Sequence, residues 1–158
     1  MDRRVIIGIG IGCGAVIVCI VGALVLGGSW LGSTIKEPTG VDVEVNVPLQ
    51  IRKGQGFLIL VTIRETSGKA QELDSIDIAD EYLDGIAIER TEPGFNESYS
   101  VFGFQTYDFM REIPANGELV VRFFAVGVRT GDFRGDLDVC INGPAQCLTY
   151  PIRSIVGQ

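Results

Sequence analysis

Val41-Asp42-Val43-Glu44-Val45-Asn46-Val47 alternates apolar and polar side chains without a break. Successive side chains of an extended strand point to opposite faces, so this stretch predicts a strand with one face buried and the other in water. Downstream, Gly56-Phe57-Leu58-Ile59-Leu60-Val61-Thr62-Ile63-Arg64 is apolar on one face and partly apolar on the other, as a central strand should be. Leu73 to Ala79 and Gly85 to Arg90 continue the pattern, with Leu73, Ile76 and Ile78 and then Ile86 and Ile88 as inward positions. Val101 to Met110 is aromatic and strand-like, but its apolar parity shifts between Phe102/Phe104 and Tyr107/Phe109, which predicts a bulge or turn near Gln105.

Pro114-Ala115-Asn116-Gly117 reads as a turn introducing a long strand from Glu118 to Val128, and Gly131 to Gly135 reads as a glycine-punctuated connection. Beyond it Leu137, Val139 and Ile141 face one way and Asp136, Asp138 and Cys140 the other. Leu148, Tyr150 and Ile152 share the inward parity on the return strand, and the outward Pro151 marks that strand as an edge. About eight strands separated by turn signals, with no amphipathic helix, predict an all-β antiparallel sandwich over residues 41–158.

The last hairpin carries two of the four cysteines. A turn centred between Gly143 and Pro144 places Cys140 directly across from Cys147, within reach of a disulfide. The six-residue interval is not that of a redox C-x-x-C pair, and the sequence has no histidine to complete a mixed metal site. A structural bridge is therefore expected, which fits an oxidising exterior.

Upstream of the sandwich, Val5 to Gly27 contains no charged, amide or hydroxyl side chain. As a helix it would be roughly 34 Å long, enough to cross a hydrocarbon core of about 30 Å. Lipid forces the backbone to satisfy its own hydrogen bonds, so helix prevails there despite the glycines and β-branched residues. The run exceeds the roughly 7–15 residues of a signal-peptide core, which favours a retained anchor over cleavage near Gly28. The expected organisation is a cytoplasmic N-terminus (1–4), a single transmembrane helix (5–27), a linker (28–40) and an extracytoplasmic domain (41–158). Arg3 and Arg4 before the span set that orientation, and Trp30 is placed for the outer headgroup interface. Gly8, Gly12, Ala15, Cys19 and Gly22 form a small-residue stripe along one side, suited to close helix packing against another copy or a different membrane protein. Cys13 and Cys19 lie near mid-span, where each reads as a small apolar residue.

All but one of the 20 acidic residues and all but two of the 13 basic ones lie from Ile35 onward, where the net charge is about −8. Such a domain repels nucleic acid and anionic lipid; its acidity serves solubility or attracts cationic partners or calcium. Asp74, Asp77, Asp80, Glu81 and Asp84 form the densest acidic stretch, but their spacing does not match a calcium loop, so a solvated acidic edge is expected. Tyr99, Phe102, Phe104, Tyr107, Phe109 and Met110 are expected mainly in the core, with an exposed binding patch as the other reading. Asn96-Glu97-Ser98 matches a glycosylation acceptor by chance, and Asp136 and Asp138 read as solvated outward acids.

Val47-Pro48, Gly54-Gln55-Gly56-Phe57, the strand ending at Arg64-Glu65-Thr66-Ser67-Gly68, Ile113-Pro114-Ala115-Asn116-Gly117-Glu118 and Gly131-Asp132-Phe133 occur in that order. The series resembles bacterial extracellular immunoglobulin-like domains of the CARDB type, over most of Val41 to Ile155. The resemblance implies an immunoglobulin-like sandwich used as a spacer, adhesion module or envelope accessory, and brings no catalytic residues. Without histidine no Ser-His-Asp or Cys-His arrangement can form, and no phosphate-cradling glycine loop leads from a strand into a helix. No enzyme activity, catalytic residue, cofactor or metal ligand is expected. The function expected is a non-catalytic membrane-anchored binding or spacer domain. The alternatives are a small accessory subunit packing through its glycine-rich helix, or a secreted sandwich after signal cleavage. The partners expected are the bilayer and other membrane or envelope proteins, or a second copy through the helix.

Overall fold

A computed structural model of the chain describes residues 37–158. The predicted span and its flanks, with Arg3, Arg4, Gly8, Gly12, Ala15, Cys19, Gly22 and Trp30, lie outside the described residues. Among those described, no helix is long and apolar enough to cross a membrane.

The elements in chain order are β1 (Val41–Asn46), β2 (Gln50–Arg52), β3 (Gly56–Glu65), β4 (Gln71–Ala79), α1 (Asp80–Leu83), β5 (Ile86–Glu92), β6 (Glu97–Val101), β7 (Phe104–Ile113), β8 (Glu118–Gly127), β9 (Gly131–Ile141) and β10 (Cys147–Gly157). A four-stranded sheet runs β1-β3-β8-β5, and a six-stranded sheet runs β2-β10-β9-β4-β7-β6. In immunoglobulin domains strands A, B, E and D form one sheet and C, F and G the other. Here β1, β3, β8 and β5 take the A, B, E and D places, and β4, β9 and β10 those of C, F and G. Two additions depart from that frame. The short β2 runs parallel to the end of β10, and the hairpin β6–β7, inserted before β8, is laid against β4.

The core lies between the sheets, as the alternating patterns require. Ile59, Val61 and Ile63 of β3 and Val121 and Phe123 of β8 are fully buried, facing Ile76, Ile78, Leu137, Val139 and Ile141 of the other sheet. Phe123 meets Tyr107 edge-on at 5.3 Å and Phe109 at 6.2 Å between ring centroids, so one aromatic cluster ties β8 to β7. At one end, the Glu65 carboxylate accepts hydrogen bonds from the Ser67 hydroxyl and from the backbone N–H groups of Ser67, Gly68 and Asn116. Burial alone would raise its pKa; these donors outweigh burial and lower it to about 2.

Several sequence expectations need correction. Among the described residues there are ten strands and not about eight, because β2 is only three residues long and every residue of β6 is exposed, so neither leaves an apolar pattern. The sandwich is antiparallel except for the β2–β10 pair. Gly131 to Gly135 is the first half of β9 and not a connection. Gly135 is a packing requirement: a Cβ there would fall 2.8 Å from Ala79 Cβ and 3.1 Å from Tyr82 Cβ. Of the bulge or turn expected near Gln105, the structure has the turn, placed at Phe102-Gly103 with φ of 50° and 85°. Leu73 and Ile76 are both fully buried despite their odd spacing, because the register of β4 slips between Leu73 and Ser75 against both neighbours.

A further correction is the one-turn helix α1, which carries Tyr82 into the core. Its hydroxyl lies 2.9 Å from Ser154 Oγ, which donates in turn to the Pro48 carbonyl at 2.8 Å. Burial pushes the phenol up to about 12. Pro151 is exposed as expected, on a part of β10 that β2 does not reach: β2 pairs only with Ile155, Val156 and Gly157.

Candidate functional site

Cys140 and Cys147 face each other across the β9–β10 hairpin and are bridged, with Cα atoms 4.0 Å apart. No shift of register is needed to bring them together, so the bridge acts on the unfolded chain by closing a loop. Its removal by Cys140→Ser/Cys147→Ser is expected to lower the unfolding free energy by about 2.5 kcal/mol in the chain-entropy treatment. A denaturant titration of both forms checks this; equal midpoints would contradict it.

The bridge borders an unusual surface on the outer face of the six-stranded sheet. The strand register sets Glu97, Asp108, Ser75 and Cys140 in one row, and Tyr99, Thr106, Asp77 and Asp138 in the next. Asp77 and Asp138 are therefore direct cross-strand neighbours, a pairing of like charges that destabilises a sheet. Asp77 Oδ1 and Asp138 Oδ1 are shut off from solvent and accept no hydrogen bond. Asp77 Oδ2 lies 3.7 Å from the Cys140 sulfur, which as half of a disulfide has no proton to give.

The bulge in β4 adds Asp74 to this surface. Asp74 is 8% exposed, and it borders an open cleft of about 460 Å³ whose lining includes Glu72, Glu112 and Asn142. Burial, then the charges of Asp108 and Glu72, raises its pKa. Burial raises that of Asp77 too, against hydrogen bonds from Thr106 and Ser75 and with the charge of Asp138 adding to the rise. At Asp108 burial and Glu97 raise it, while a hydrogen bond with Tyr99 works the other way. Of the five acids expected at a solvated edge, Asp80, Glu81 and Asp84 are exposed but Asp74 and Asp77 are not. Among the described residues no group of three or more acids or cysteines is placed to hold a metal ion.

The β6–β7 hairpin supplies the other half of the surface. Of the six residues expected mainly in the core, Tyr107 and Phe109 are buried and Phe104 is half-buried. Tyr99, Phe102 and Met110 are exposed, Phe102 by 99% at the tip of the hairpin. A bulky residue at positive φ is sterically costly, and the turn would be more stable with asparagine there. Among the described residues the outer edge of β6 has no neighbouring strand, and Tyr99 and Val101 of β6 are exposed. Asn96, of the acceptor-like triplet, donates its side-chain N–H to the Phe109 carbonyl and so has a structural role. Sequence reading missed Asp108 and the free edge; the signal was the Ser98/Ser100 alternation before Phe102-Gly103, which marks a polar strand and a turn.

No protein-family model matches the chain. No curated protein matches it. Among solved structures it is similar to the cupredoxin domain of amoB from Nitrosocaldus yellowstonii, with a TM-score of 0.50 and 8% identity over 77% of this chain and 90% of that one. A cohesin module of a family 33 glycoside hydrolase from Clostridium perfringens gives a TM-score of 0.44 at 10% identity, covering 76% of this chain and 100% of that one. The PapD-like domain 7 of human CEP192 gives 0.43 at 9%, over 78% and 90%. At such identities the likeness is one of fold alone, that of a two-sheet β-sandwich.

Proposed function

We propose that this chain is a non-catalytic binding module of the cell envelope, held in the membrane by the helix over residues 5–27 and presenting its sandwich on the outside. The observation that carries this reading is the β6–β7 hairpin: an addition to an immunoglobulin-type frame that, among the described residues, leaves an open edge and an exposed aromatic tip. While β7 joins the core, every residue of β6 and of the Phe102-Gly103 turn is exposed, as expected of a contact surface. The CARDB-type resemblance agrees with an adhesive or accessory use. A histidine-based nucleophile set is ruled out, since the sequence has no histidine for a Ser-His-Asp or Cys-His arrangement. Blue-copper chemistry needs two histidines and a cysteine, and this sequence has no histidine.

The bridge Cys140–Cys147 supports the exterior placement. The anchor is tested by mass spectrometry of the chain extracted from carbonate-washed membranes. A mass that retains residues 1–27 is expected; a mass beginning near Gly28, or recovery in the wash, would show a released domain instead.

The small-residue stripe favours a second reading, an accessory subunit whose helix packs on other spans. The two readings differ in where the partner is held. Gly8→Leu, Gly12→Leu and Gly22→Leu release a helix-bound partner and leave a sandwich-bound one in place.

A further inference from the structure

We propose that Asp77 and Asp138 form a proton-dependent clasp between β4 and β9. In mildly acidic surroundings Asp77 keeps its proton and donates it to Asp138 Oδ1. Towards neutral pH the proton leaves, and two facing carboxylates weaken the pairing of the strands.

The two residues are direct partners in the β4–β9 register, so their side chains leave the same face of the sheet side by side. Cβ atoms of such partners stand about 4.5–5.5 Å apart, which brings two carboxyl groups within hydrogen-bonding reach. Asp77 Oδ1 and Asp138 Oδ1 are both shut off from solvent, and neither has a partner among the described residues. Two ionised carboxylates cannot satisfy each other, because each only accepts. One proton held between the two Oδ1 atoms satisfies both and removes the pairing of like charges. The other oxygen of Asp77, Oδ2, lies 3.7 Å from the Cys140 sulfur, which is bound to Cys147 and has no proton to give.

The neighbouring strands bring acids and neutral groups to this pair. On β7, Thr106 is the partner of Asp77, with Asp108 one row away; on β6, Tyr99 and Glu97 extend those two rows. Asp74 follows on β4, Asp136 on β9, and Thr149 of β10 faces Asp138. The ion pairs among the described residues are made elsewhere, by Arg64, Arg129, Arg134 and Arg153 with other acids. Burial raises the pKa of Asp77, and the charges of Asp138 and Asp108 add to the rise against hydrogen bonds from Thr106 and Ser75. The stability that this proton confers is therefore complete below the ordinary aspartate range and is lost as pH rises through the raised value. Glu65 and Asp132, both held low, act in the opposite sense and weaken the fold only as pH falls below the ordinary carboxylate range. The sequence has no histidine, so the usual side-chain sensor of mildly acidic pH is missing and a carboxyl group withdrawn from water takes that part. Because β4 also carries the β6–β7 hairpin, the clasp lies where that hairpin joins the immunoglobulin-type frame.

The test follows the melting temperature of the full-length chain in a neutral detergent from about pH 5 to about pH 7, a range clear of ordinary side-chain titrations in a chain without histidine. The melting temperature is expected to fall as pH rises. Asp77→Asn puts a neutral donor in place of the acid; it is expected to melt above the unaltered chain at the upper pH and to show at most half of the fall. Asp138→Asn removes the facing charge and acts in the same direction, so the double variant gains less than the sum of the two. Asp136→Asn, exposed on the same strand, leaves the fall in place. A merely structural role for the Asp77 carboxylate would instead lower the melting temperature of Asp77→Asn at every pH. A melting temperature that holds or rises with pH overturns the proposal, as does an undiminished fall in Asp77→Asn. Where a variant misfolds, carboxyl carbon NMR of the unaltered chain serves: Asp77 is expected to ionise above the ordinary aspartate range, and ionisation within or below that range overturns the proposal. None of these readouts depends on the membrane anchor, so their failure is distinct from failure of the proposed function.

Discussion

Phe123→Ala is expected to lower the unfolding free energy by about 3–5 kcal/mol, the range for truncating a buried aromatic. Phe123 has no exposed surface and stands on β8, with its backbone paired to Ile59 of β3 and Thr91 of β5. Those ladders on both sides prevent the backbone from closing over the void. Tyr107 and Phe109 across the core would each lose an edge-on neighbour. Domains of this kind are stable by roughly 5–15 kcal/mol in total, so the loss is a large share of the whole. Denaturant titration followed by the β-sheet circular dichroism signal measures it, with Phe123→Leu as the milder companion. A change below about 1 kcal/mol would show that the sheets are not joined through this cluster.

Tyr82 separates two contributions. Tyr82→Ala should cost about 3–5 kcal/mol, because the ring is fully buried and α1 has little else to hold it. Tyr82→Phe should cost about 1 kcal/mol, since only the hydroxyl is removed and Ser154 keeps its bond to the Pro48 carbonyl. The same titration reads both. Similar losses for the two variants would mean that the hydrogen bond, and not the ring, seats the helix.

The strands that carry the frame were readable because their burial is one-sided. Val41 to Val47, Gly56 to Arg64 and Glu118 to Val128 alternate, and β1, β3 and β8 follow them closely. The cysteine hairpin was readable for the same reason, since the turn at Gly143-Pro144 fixes its register. Features that depend on tertiary contact were not. Gly131 and Gly135 look like loop punctuation, and nothing local reveals that Ala79 and Tyr82 need the space above Gly135. A helix of four residues is too short to show a period of 3.6, so α1 was invisible.

The candidate surface was the least legible part, for a physical reason. Aromatic side chains are large enough that a core position is the better expectation for each of them, and Tyr107 and Phe109 satisfy it. Tyr99 and Phe102 do not, because the turn at Phe102-Gly103 splits one apparent strand into two and turns β6 outward. Asp74 escaped as a special position because its burial depends on a bulge, and Asp108 because its neighbours come from β4 and β6. The surface thus combines several locally unfavourable choices, namely facing aspartates whose Oδ1 atoms are shut off from solvent without a partner among the described residues, and a phenylalanine at positive φ. Such choices concentrate where binding is selected over stability.

The proposed function requires an envelope domain displayed outside the membrane by its own N-terminal helix. Its most direct test is Lys69→Cys, at an exposed position in the β3–β4 connection, in cells expressing the full-length chain. A membrane-impermeant maleimide is added to intact spheroplasts, with the unaltered chain as the blank. Labelling before lysis, in a chain that stays with the membrane, is expected. Labelling that appears only after lysis would place the sandwich inside and contradict it.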